Sequence, residues 1–172
     1  MKMEIKICAR GELSKEEIQR VDYWMWQTFH EQTSDCEWST PDWYVFVWVG
    51  EELVSHVDIV ERTGMVGGCR VRLGGIGGVT TRPEWRGCGF ASAAMREAAR
   101  FMCDDLGLDF GLLICGKKMI PFYRKLGWGV VEGPLVFDQP KGKMVSTDVA
   151  MVLPCARREW PGGEVDLCGP PW

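Results

Sequence analysis

The sequence predicts a single α/β domain with a mixed β-sheet. At 172 residues the chain has the size of one domain. Its 46% hydrophobic and 26% charged residues make an ordinary globular composition. The hydrophobic pattern indicates a strand, a helix, a hairpin, a strand–helix–strand unit, a short helix and final strands. Strands that alternate with helices in this way predict one sheet with helices packed on it.

The N-terminal part is predicted to hold a strand at residues 4–10 and then a helix. Ser14 and Glu17 have the spacing of a capping box, in which the two side chains bond each other's backbone N–H groups. Apolar residues then recur at helical spacing: Ile18, Val21, Met25 and Phe29. Residues 30–42 are polar and irregular, and two interpretations stay open for them, a solvated linker or a lip that faces the substrate.

The middle of the chain is predicted to be β-structure. Residues 44–49 and 53–60 form a hairpin around Gly50. Residues 62–68 form a turn, and residues 69–81 form the next strand, which contains several glycines. Glycines inside a strand weaken it and usually mark a bulge or the close approach of another main-chain-like group. We expect such an approach at this strand.

An alanine-rich helix is predicted at residues 89–106, with Gly107 as its end. One face of this helix is apolar: Ala91, Ala94, Met95, Ala98, Phe101 and Met102. The remaining elements are a buried strand at 110–115, a short helix at 118–126, strands at 128–132 and 148–153 joined by a loop, and a Gly/Pro-rich tail from residue 154.

The segment that opens this helix has the form of an anion site. Arg86-Gly87-Cys88-Gly89 leads directly into the helix. The first N–H groups of a helix have no partner within it, and the helix dipole places partial positive charge there. Gly87 and Gly89 lack Cβ, so the chain can curl closely around a phosphate. The sequence therefore predicts a phosphate-binding loop.

Two nucleotide-binding motifs fit the chain poorly. The dinucleotide fingerprint G-x-G-x-x-G places Ser92 where its last glycine belongs. Residues 111–118 read G-L-L-I-C-G-K-K, with Lys118 in place of the magnesium-binding Ser or Thr of a Walker A loop. The apolar interior of that segment predicts a buried strand instead. A nucleotide enzyme is therefore the weakest of the functions considered.

A third pattern, [QR]-x-x-G-x-[GA], does match at residues 86–91. It resembles the coenzyme A pyrophosphate loop of the GNAT family of N-acetyltransferases. Residues 81–85 before it and the later segment P-F-Y-R-K-L-G-W at 121–128 are similar to further segments of that family, in the same order. The resemblance implies the GNAT fold, with a mixed central sheet of about six to seven strands flanked by helices, and acetyl-CoA as cofactor.

The resemblance also implies residue roles. Tyr123 would return a proton to the departing thiolate, and the Val79 N–H would polarise the thioester carbonyl. Val79 and Thr81 would pair with the pantetheine arm, which would be the main-chain-like group that approaches the glycine-rich strand. The predicted coenzyme contacts are Val79, Thr81, Arg86, Gly87, Cys88, Gly89, Phe90, Ala91 and Tyr123. Related enzymes carry a helpful carboxylate at the position of Gly77, so the general base stays open.

Within this family the chain is most similar to the aminoglycoside 2′-N-acetyltransferases, through residues 48–62, 78–87, 123–128, 133–134 and 152–154. That similarity implies a small cationic amine as acceptor, held by Asp35, Asp148 and Trp172, the last through its ring and terminal carboxylate. Residues 1–172 would form one domain in which the tail, 155–172, completes the acceptor site. The alternative is a catalytically silent protein that binds acyl-CoA.

The net charge and the cysteine content limit the classes of partner that the protein is expected to have. A net charge of −4 and a pI near 5.3 argue against nucleic acid as a partner. With two histidines and no C-x-x-C pair, no metal site is predicted. No apolar run is long enough to suggest a membrane partner. We expect a reduced, cytoplasmic protein with Cys103 and Cys115 as buried thiols, and we consider a homodimer.

Overall fold

The structure is a computed structural model that describes residues 2–29, 31 and 35–172. A single sheet of ten strands forms its centre. The strands are β1 Met3–Ala9, β2 Trp43–Val49, β3 Glu52–Val66, β4 Cys69–Thr81, β5 Phe110–Cys115, β6 Gly129–Val130, β7 Leu135–Gln139, β8 Gly142–Val145, β9 Val149–Pro154 and β10 Val165–Asp166. Their order is β6-β9-β5-β4-β3-β10-β7-β8, and β2 and β1 continue from the first half of β3. The sheet is mixed, because β4 and β5 pair in parallel while most other pairs are antiparallel.

Three α-helices pack on the sheet. They are α1 Lys15–Phe29, α2 Phe90–Arg100, which continues as a wider turn over Phe101–Asp105, and α3 Ile120–Arg124. The capping box at the start of α1 is confirmed, since the Ser14 N–H donates to Glu17 Oε2 at 2.8 Å and the Glu17 N–H donates to Ser14 Oγ at 3.2 Å. Within the described residues, no helix is long and apolar enough to cross a membrane.

The predicted turn at residues 62–68 is wrong. Strand β3 continues to Val66 and pairs with β4 over this whole stretch, and the turn is made by Gly67 and Gly68 alone, at φ +53° and +81°. Gly64 misled the prediction, because it lies inside the strand for a packing reason. A Cβ at Gly64 would stand 2.8 Å from the Leu73 side chain and 2.9 Å from the Asp166 carbonyl oxygen.

Three short strands were also missed. Strands β7 and β8 form a hairpin inside the predicted loop, and β10 lies inside the predicted tail. The sheet thus has ten strands rather than six or seven. These strands are two to five residues long. Too few residues alternate in them to give a readable pattern, so their pairing depends on distant partners.

The sheet is covered on both faces. Helix α2 covers one face, where Ala94, Met95 and Ala98 pack against residues of β2, β3, β4 and β5. On the other face, α1 covers the strands β1 to β3, and β7, β10 and the tail cover β4, β5 and β9.

The cysteine prediction is half right. Cys115 is buried and free, as expected, but Cys103 forms a disulfide with Cys155. The two residues are 52 positions apart, and backbone bonds from Cys155 and Ala156 to Asp109 and Leu108 bring them together. The expectation of a fully reduced set of cysteines is therefore wrong at this pair.

Candidate active site

Strands β4 and β5 separate halfway along their length. They pair from Leu73–Phe110 to Ile76–Leu113, and beyond Ile76 no ladder joins them. On its other side β4 bulges away from β3, since the register passes from Asp58–Gly77 to His56–Thr80. Gly78 and Val79 lie in this bulge, outside both ladders, and Gly78 has a φ of +58°. The result is an opening in the sheet with main-chain groups of β4 along its edge.

The predicted phosphate loop lies at the end of β4. Gly87 and Gly89 both have left-handed backbone, at φ +77° and +84°, and Gly89 is the N-terminal cap of α2. The Arg86 side chain folds back, and its Nε donates to the Thr81 carbonyl oxygen at 3.3 Å. A Cβ on either glycine would meet nothing within 4 Å, so the space in front of the loop is free.

A cavity of about 350 Å³ begins at this loop. Its lining contains much of the predicted coenzyme site and two aromatic walls: Thr81, Trp85, Arg86, Gly87, Gly89, Phe90, Ala91, Ser92 and Phe122. Of the remaining predicted contacts, Cys88 is exposed in the loop and Val79 packs at the edge of the core. Free helix N–H groups, two left-handed glycines and open space fit a diphosphate, and the residues present therefore fit coenzyme A.

Tyr123 lies on α3 and belongs to the core cluster that also contains the buried residues of α2. Its ring is buried, with 6% of the residue exposed, and packs edge-on against Phe122 at 5.0 Å between centroids. Burial, and secondarily the nearby Cys115 thiol, raises the pKa of Tyr123 to about 12. The hydroxyl is therefore protonated at neutral pH, which is the state a proton donor needs.

Trp172 lies on the opposite face of the sheet from Tyr123. Its indole covers Gly75, where any Cβ would overlap the ring, and its Nε1 donates to the Leu112 carbonyl oxygen at 3.2 Å. Its main-chain carbonyl carbon lies 2.9 Å from the place where a Cβ of Gly77 would stand. The glycines of β4 therefore make room for this residue, and the approach predicted for the glycine-rich strand comes from within the chain.

The tail that carries Trp172 is tied to neighbouring elements. The Arg62 guanidinium lies 5.4 Å from the centroid of the indole and also donates to the Pro170 carbonyl oxygen and to Ser39 Oγ. The Ser39 N–H donates to the Pro171 carbonyl oxygen at 2.7 Å. The second part of the 30–42 segment is thus packed against the tail. A solvated linker would make no such contacts with the rest of the chain.

The two predicted acidic acceptor residues are both exposed. Asp148 precedes β9, and burial and then the charge of Asp148 raise the pKa of the Cys115 thiol. Asp35 lies in the loop before β2. Among the contacts of the described residues, none joins Asp35, Asp148 and Trp172 to one another.

The sequence analysis missed a buried polar pair on β3. Asp58 and His56 face the side that α1 covers, with Asp58 Oδ1 at 3.5 Å from His56 Nε2. Both ring nitrogens of His56 and Oδ1 of Asp58 are enclosed, and no group in the described part of the chain bonds to them. Burial lowers the pKa of His56 to about 3 and raises that of Asp58 to about 8. The sequence did offer one signal for this pair, because Asp58 is a charged residue at a core-facing position of a predicted strand.

Other predictions at the site are settled by position. The Walker-like segment is not a loop, because Phe110–Cys115 is a buried strand of the sheet. Glu61 accepts a hydrogen bond from Trp43 Nε1 at 2.7 Å and is thereby engaged. Glu84 is exposed beside the loop, in the short turn Pro83–Trp85.

A family model described as the acetyltransferase (GNAT) domain matches residues 12–131, which is more than two thirds of the chain. The matched stretch includes the bulge of β4, the phosphate loop and Tyr123. It ends before the β7–β10 region and the tail.

Individual proteins agree with this match. The aminoglycoside 2′-N-acetyltransferase of Mycolicibacterium fortuitum is 26% identical over 118 residues, which are 67% of this chain and 60% of that protein. Escherichia coli ElaA superposes with a TM-score of 0.64 at 16% identity, over 91% of this chain and 100% of its own. Eis1 of Mycobacterium abscessus gives a TM-score of 0.58 at 19% identity, over 76% of this chain and 31% of its own. The chain thus spans three fifths of the curated relative and under a third of Eis1, and these structural likenesses establish the fold.

Proposed function

Because the chain belongs to the GNAT family of acetyltransferases, we propose that it transfers an acetyl group from acetyl-CoA to a primary amine of a small cationic acceptor. GNAT acetyltransferases use acetyl-CoA, which supplies an activated acyl thioester. The observation that carries the proposal is the common opening between β4 and β5. Loop residues line the cavity at the end of β4, Val79 lies where β4 has left both ladders, and Tyr123 belongs to the same core cluster as Val79.

Each part of the opening has one task in this proposal. The N–H groups at Gly87, Gly89, Phe90 and Ala91 hold the diphosphate. Val79 offers a main-chain N–H to the reacting carbonyl, and Thr81 lies further along the same edge. The hydroxyl of Tyr123 donates its proton to the leaving sulfur and then regains one from the reacting nitrogen. A phenol with a pKa of about 12 stays protonated at neutral pH, so the proton is present when the carbon–sulfur bond breaks.

The acceptor belongs on the other face of the sheet, beside the tail. Trp172 provides an aromatic wall there, and its main-chain oxygen lies over Gly77 as an acceptor for an ammonium. The Arg62 and Ser39 bonds hold the tail in this position. Asp35 and Asp148 would add negative charge at the rims, and a polycation gains most from several such groups. An aminoglycoside-like amine is therefore the first candidate, with the curated relative in support.

A panel of amines tests the proposal. The full chain is incubated with acetyl-CoA and tobramycin, spermidine, or a neutral primary amine such as glycine amide above its pKa, and free thiol is measured. We expect turnover with the cationic acceptors and little with the neutral one. If none of the amines in the panel causes thiol release, the proposed acceptor class is overturned.

The tail is tested with a matched pair of tryptophans. Trp172→Ala is expected to raise KM for the cationic amine about tenfold or more, because an aromatic wall and the ordering of the tail are both lost. KM for acetyl-CoA should change little. Trp160→Ala is the control, since Trp160 is in the same tail but packs on Phe110 at 5.0 Å. Equal effects of both substitutions on the two KM values would remove Trp172 from the acceptor site.

A further inference from the structure

Asp58 is a buried carboxylate at the edge of the proposed acceptor site. It is the direct cross-strand partner of Gly77, and a Cβ at the neighbouring Gly78 would overlap its carboxylate. The same virtual Cβ would stand 3.0 Å from the Met25 methyl group of α1. Asp58 therefore reaches under α1 to the bulge of β4, next to Val79, and 9% of its side chain remains exposed.

This carboxylate has no cation in contact among the described side chains. His56 is its neighbour, but burial keeps that imidazole neutral by lowering its pKa to about 3. The charged groups that act on Asp58 are further away: Asp22 of α1 raises its pKa and Arg10, after β1, lowers it. On β2, Tyr44 is the cross-strand partner of Asp58, and its hydroxyl accepts a hydrogen bond from Arg10. An isolated buried carboxylate is costly and is usually retained only where a ligand needs it.

Gly77 leaves no room for a side chain of its own at this point of β4. A Cβ at residue 77 would stand 2.9 Å from the main-chain carbonyl carbon of Trp172. The tail thus occupies the space that such a side chain would need. Asp58 is the residue directly across the strand pair, on the same face of the sheet.

We propose that Asp58 receives the ammonium of the acceptor and accepts its proton, as the base of the proposed acetyl transfer. This inference rests on the proposed function. The reacting nitrogen loses two protons in all while its bond to the acyl carbon forms and the carbon–sulfur bond breaks. One proton goes to the Asp58 carboxylate and from there to solvent. The other replaces the proton that Tyr123 gives to the sulfur, so charges and atoms balance.

The first test is Asp58→Asn, which keeps the shape and removes the ionisation. We expect kcat/KM for the amine to fall about 10²-fold, with KM for acetyl-CoA within twofold of the original. The rise of kcat/KM with pH that belongs to Asp58 should disappear. Asp22→Asn is the matched control, because it changes the same chemistry at a largely exposed side chain that only influences Asp58 from a distance. The proposal is overturned if kcat/KM of the Asp58→Asn variant stays within threefold of the original value and its pH profile is unchanged.

A structural role predicts a different pattern for the same variant. If Asp58 only supported the fold, Asp58→Asn would lower the denaturation midpoint and reduce activity in proportion. Our proposal predicts an equal or higher midpoint at pH 7, since a costly buried carboxyl is removed, together with lost transfer. A variant that loses stability and activity together counts against a role as base.

A second measurement uses the unchanged protein and needs no turnover. The carboxyl carbon of Asp58 is followed by ¹³C NMR from pH 4 to 9, with tobramycin or spermidine added in separate titrations. We expect a pKa well above the usual range for aspartate, and a drop of that pKa by one unit or more when a cation binds beside it. Ordinary titration, or no response to either polyamine, overturns the inference.

The NMR result also separates the two proposals. A responsive Asp58 in a protein that releases no thiol with any amine would overturn the acetyl transfer while retaining Asp58 as the ammonium site. Turnover in the panel with an unresponsive Asp58 would retain the transferase and overturn the base.

Discussion

The phosphate loop and the β3–β4 bulge border the same opening but are built in opposite ways. The loop is exposed and offers main-chain N–H groups, and a Cβ added at Gly87 or Gly89 would meet no described atom within 4 Å. The bulge is enclosed and depends on side chains, because Asp58, Gly78 and Met25 fill one another's space. The loop is proposed to hold a large anion from solvent, whereas the bulge sets the position and charge of a few atoms.

This difference explains which substitutions each region tolerates. A side chain added at a loop glycine strains the backbone but contacts no packed atoms. We therefore expect it to affect ligand binding more than the stability of the fold. A change in the bulge meets packed atoms and a buried carboxylate, so it affects fold and chemistry together. Four predictions test this contrast, beginning with the largest effect.

Gly78→Ala should be the most damaging single substitution in either region. The left-handed backbone at φ +58° costs about 1–2 kcal/mol for a residue with Cβ, and the overlap with Asp58 adds about 1–3 kcal/mol. Gly50→Ala is the control, because Gly50 has φ +62° but nothing within 4 Å. In urea unfolding, Gly78→Ala should lower the free energy of unfolding at least twice as much as Gly50→Ala does. Equal losses would mean that the bulge is not tightly packed.

Tyr123→Phe should lower kcat by about 10²-fold while the protein still binds coenzyme A. The hydroxyl is lost, but the ring remains packed in the core. Tyr23→Phe is the control, since Tyr23 is 59% exposed on α1. Thiol release and calorimetric binding of coenzyme A are the measurements. Unchanged kcat would favour the alternative of a catalytically silent binding protein, or a different proton donor.

The pH dependence of stability should reveal the buried pair. The pKa of Asp58 is raised from 3.8 to about 8, so the folded state holds a proton that the unfolded state has lost, and the free energy of unfolding falls as pH rises through this range. The pKa of His56 is lowered from 6.5 to about 3, so its contribution is present above pH 6.5 and is lost as pH falls. The two slopes oppose each other between about pH 4 and 6.5, and above that range only the slope of Asp58 remains.

Between pH 6.5 and 8 the free energy of unfolding should therefore fall by about 1–2 kcal/mol. Urea midpoints at several pH values measure this decline. The Asp58→Asn variant serves as the reference and should show a flatter curve over the same interval. A decline of equal size in that variant would assign the effect to other groups.

Gly89→Ala should have the smallest effect on the fold and a selective effect on the ligand. Its backbone, at φ +84°, costs about 1–2 kcal/mol with a Cβ, and the added methyl group stands where the diphosphate approaches. Gly107→Ala is the control at the other end of the helical segment, with φ +59° and equally open surroundings. Both variants should lose similar stability, but only Gly89→Ala should raise KM for acetyl-CoA, by about fivefold or more. A similar rise in both variants would place the diphosphate elsewhere.

The predictable part of the site is the contiguous part. Residues 86–91 and Tyr123 stand in short motifs, and the loop geometry expected from Gly87 and Gly89 is observed as left-handed backbone. By contrast, Asp58 is 19 residues before Gly77 in the chain and meets it only through strand pairing. The disulfide partner of Cys103 is 52 residues away, and nothing near either cysteine indicates the pairing. Sequence patterns report what neighbours along the chain do, and these contacts join distant segments.

By itself, the sequence determined the family, the order of the main strands and helices, and the loop that is proposed to hold acetyl-CoA. The family follows from the resemblance of short motifs, and the elements and the loop follow from local periodicity, glycine positions and helix ends, which act within a few residues. Only the tertiary structure decided that Trp172 covers Gly75 and Gly77, that α1 encloses Asp58, and that β7, β8 and β10 join the sheet. Burial and charge at those places depend on the packing of segments far apart in the chain, and no local pattern contains that information.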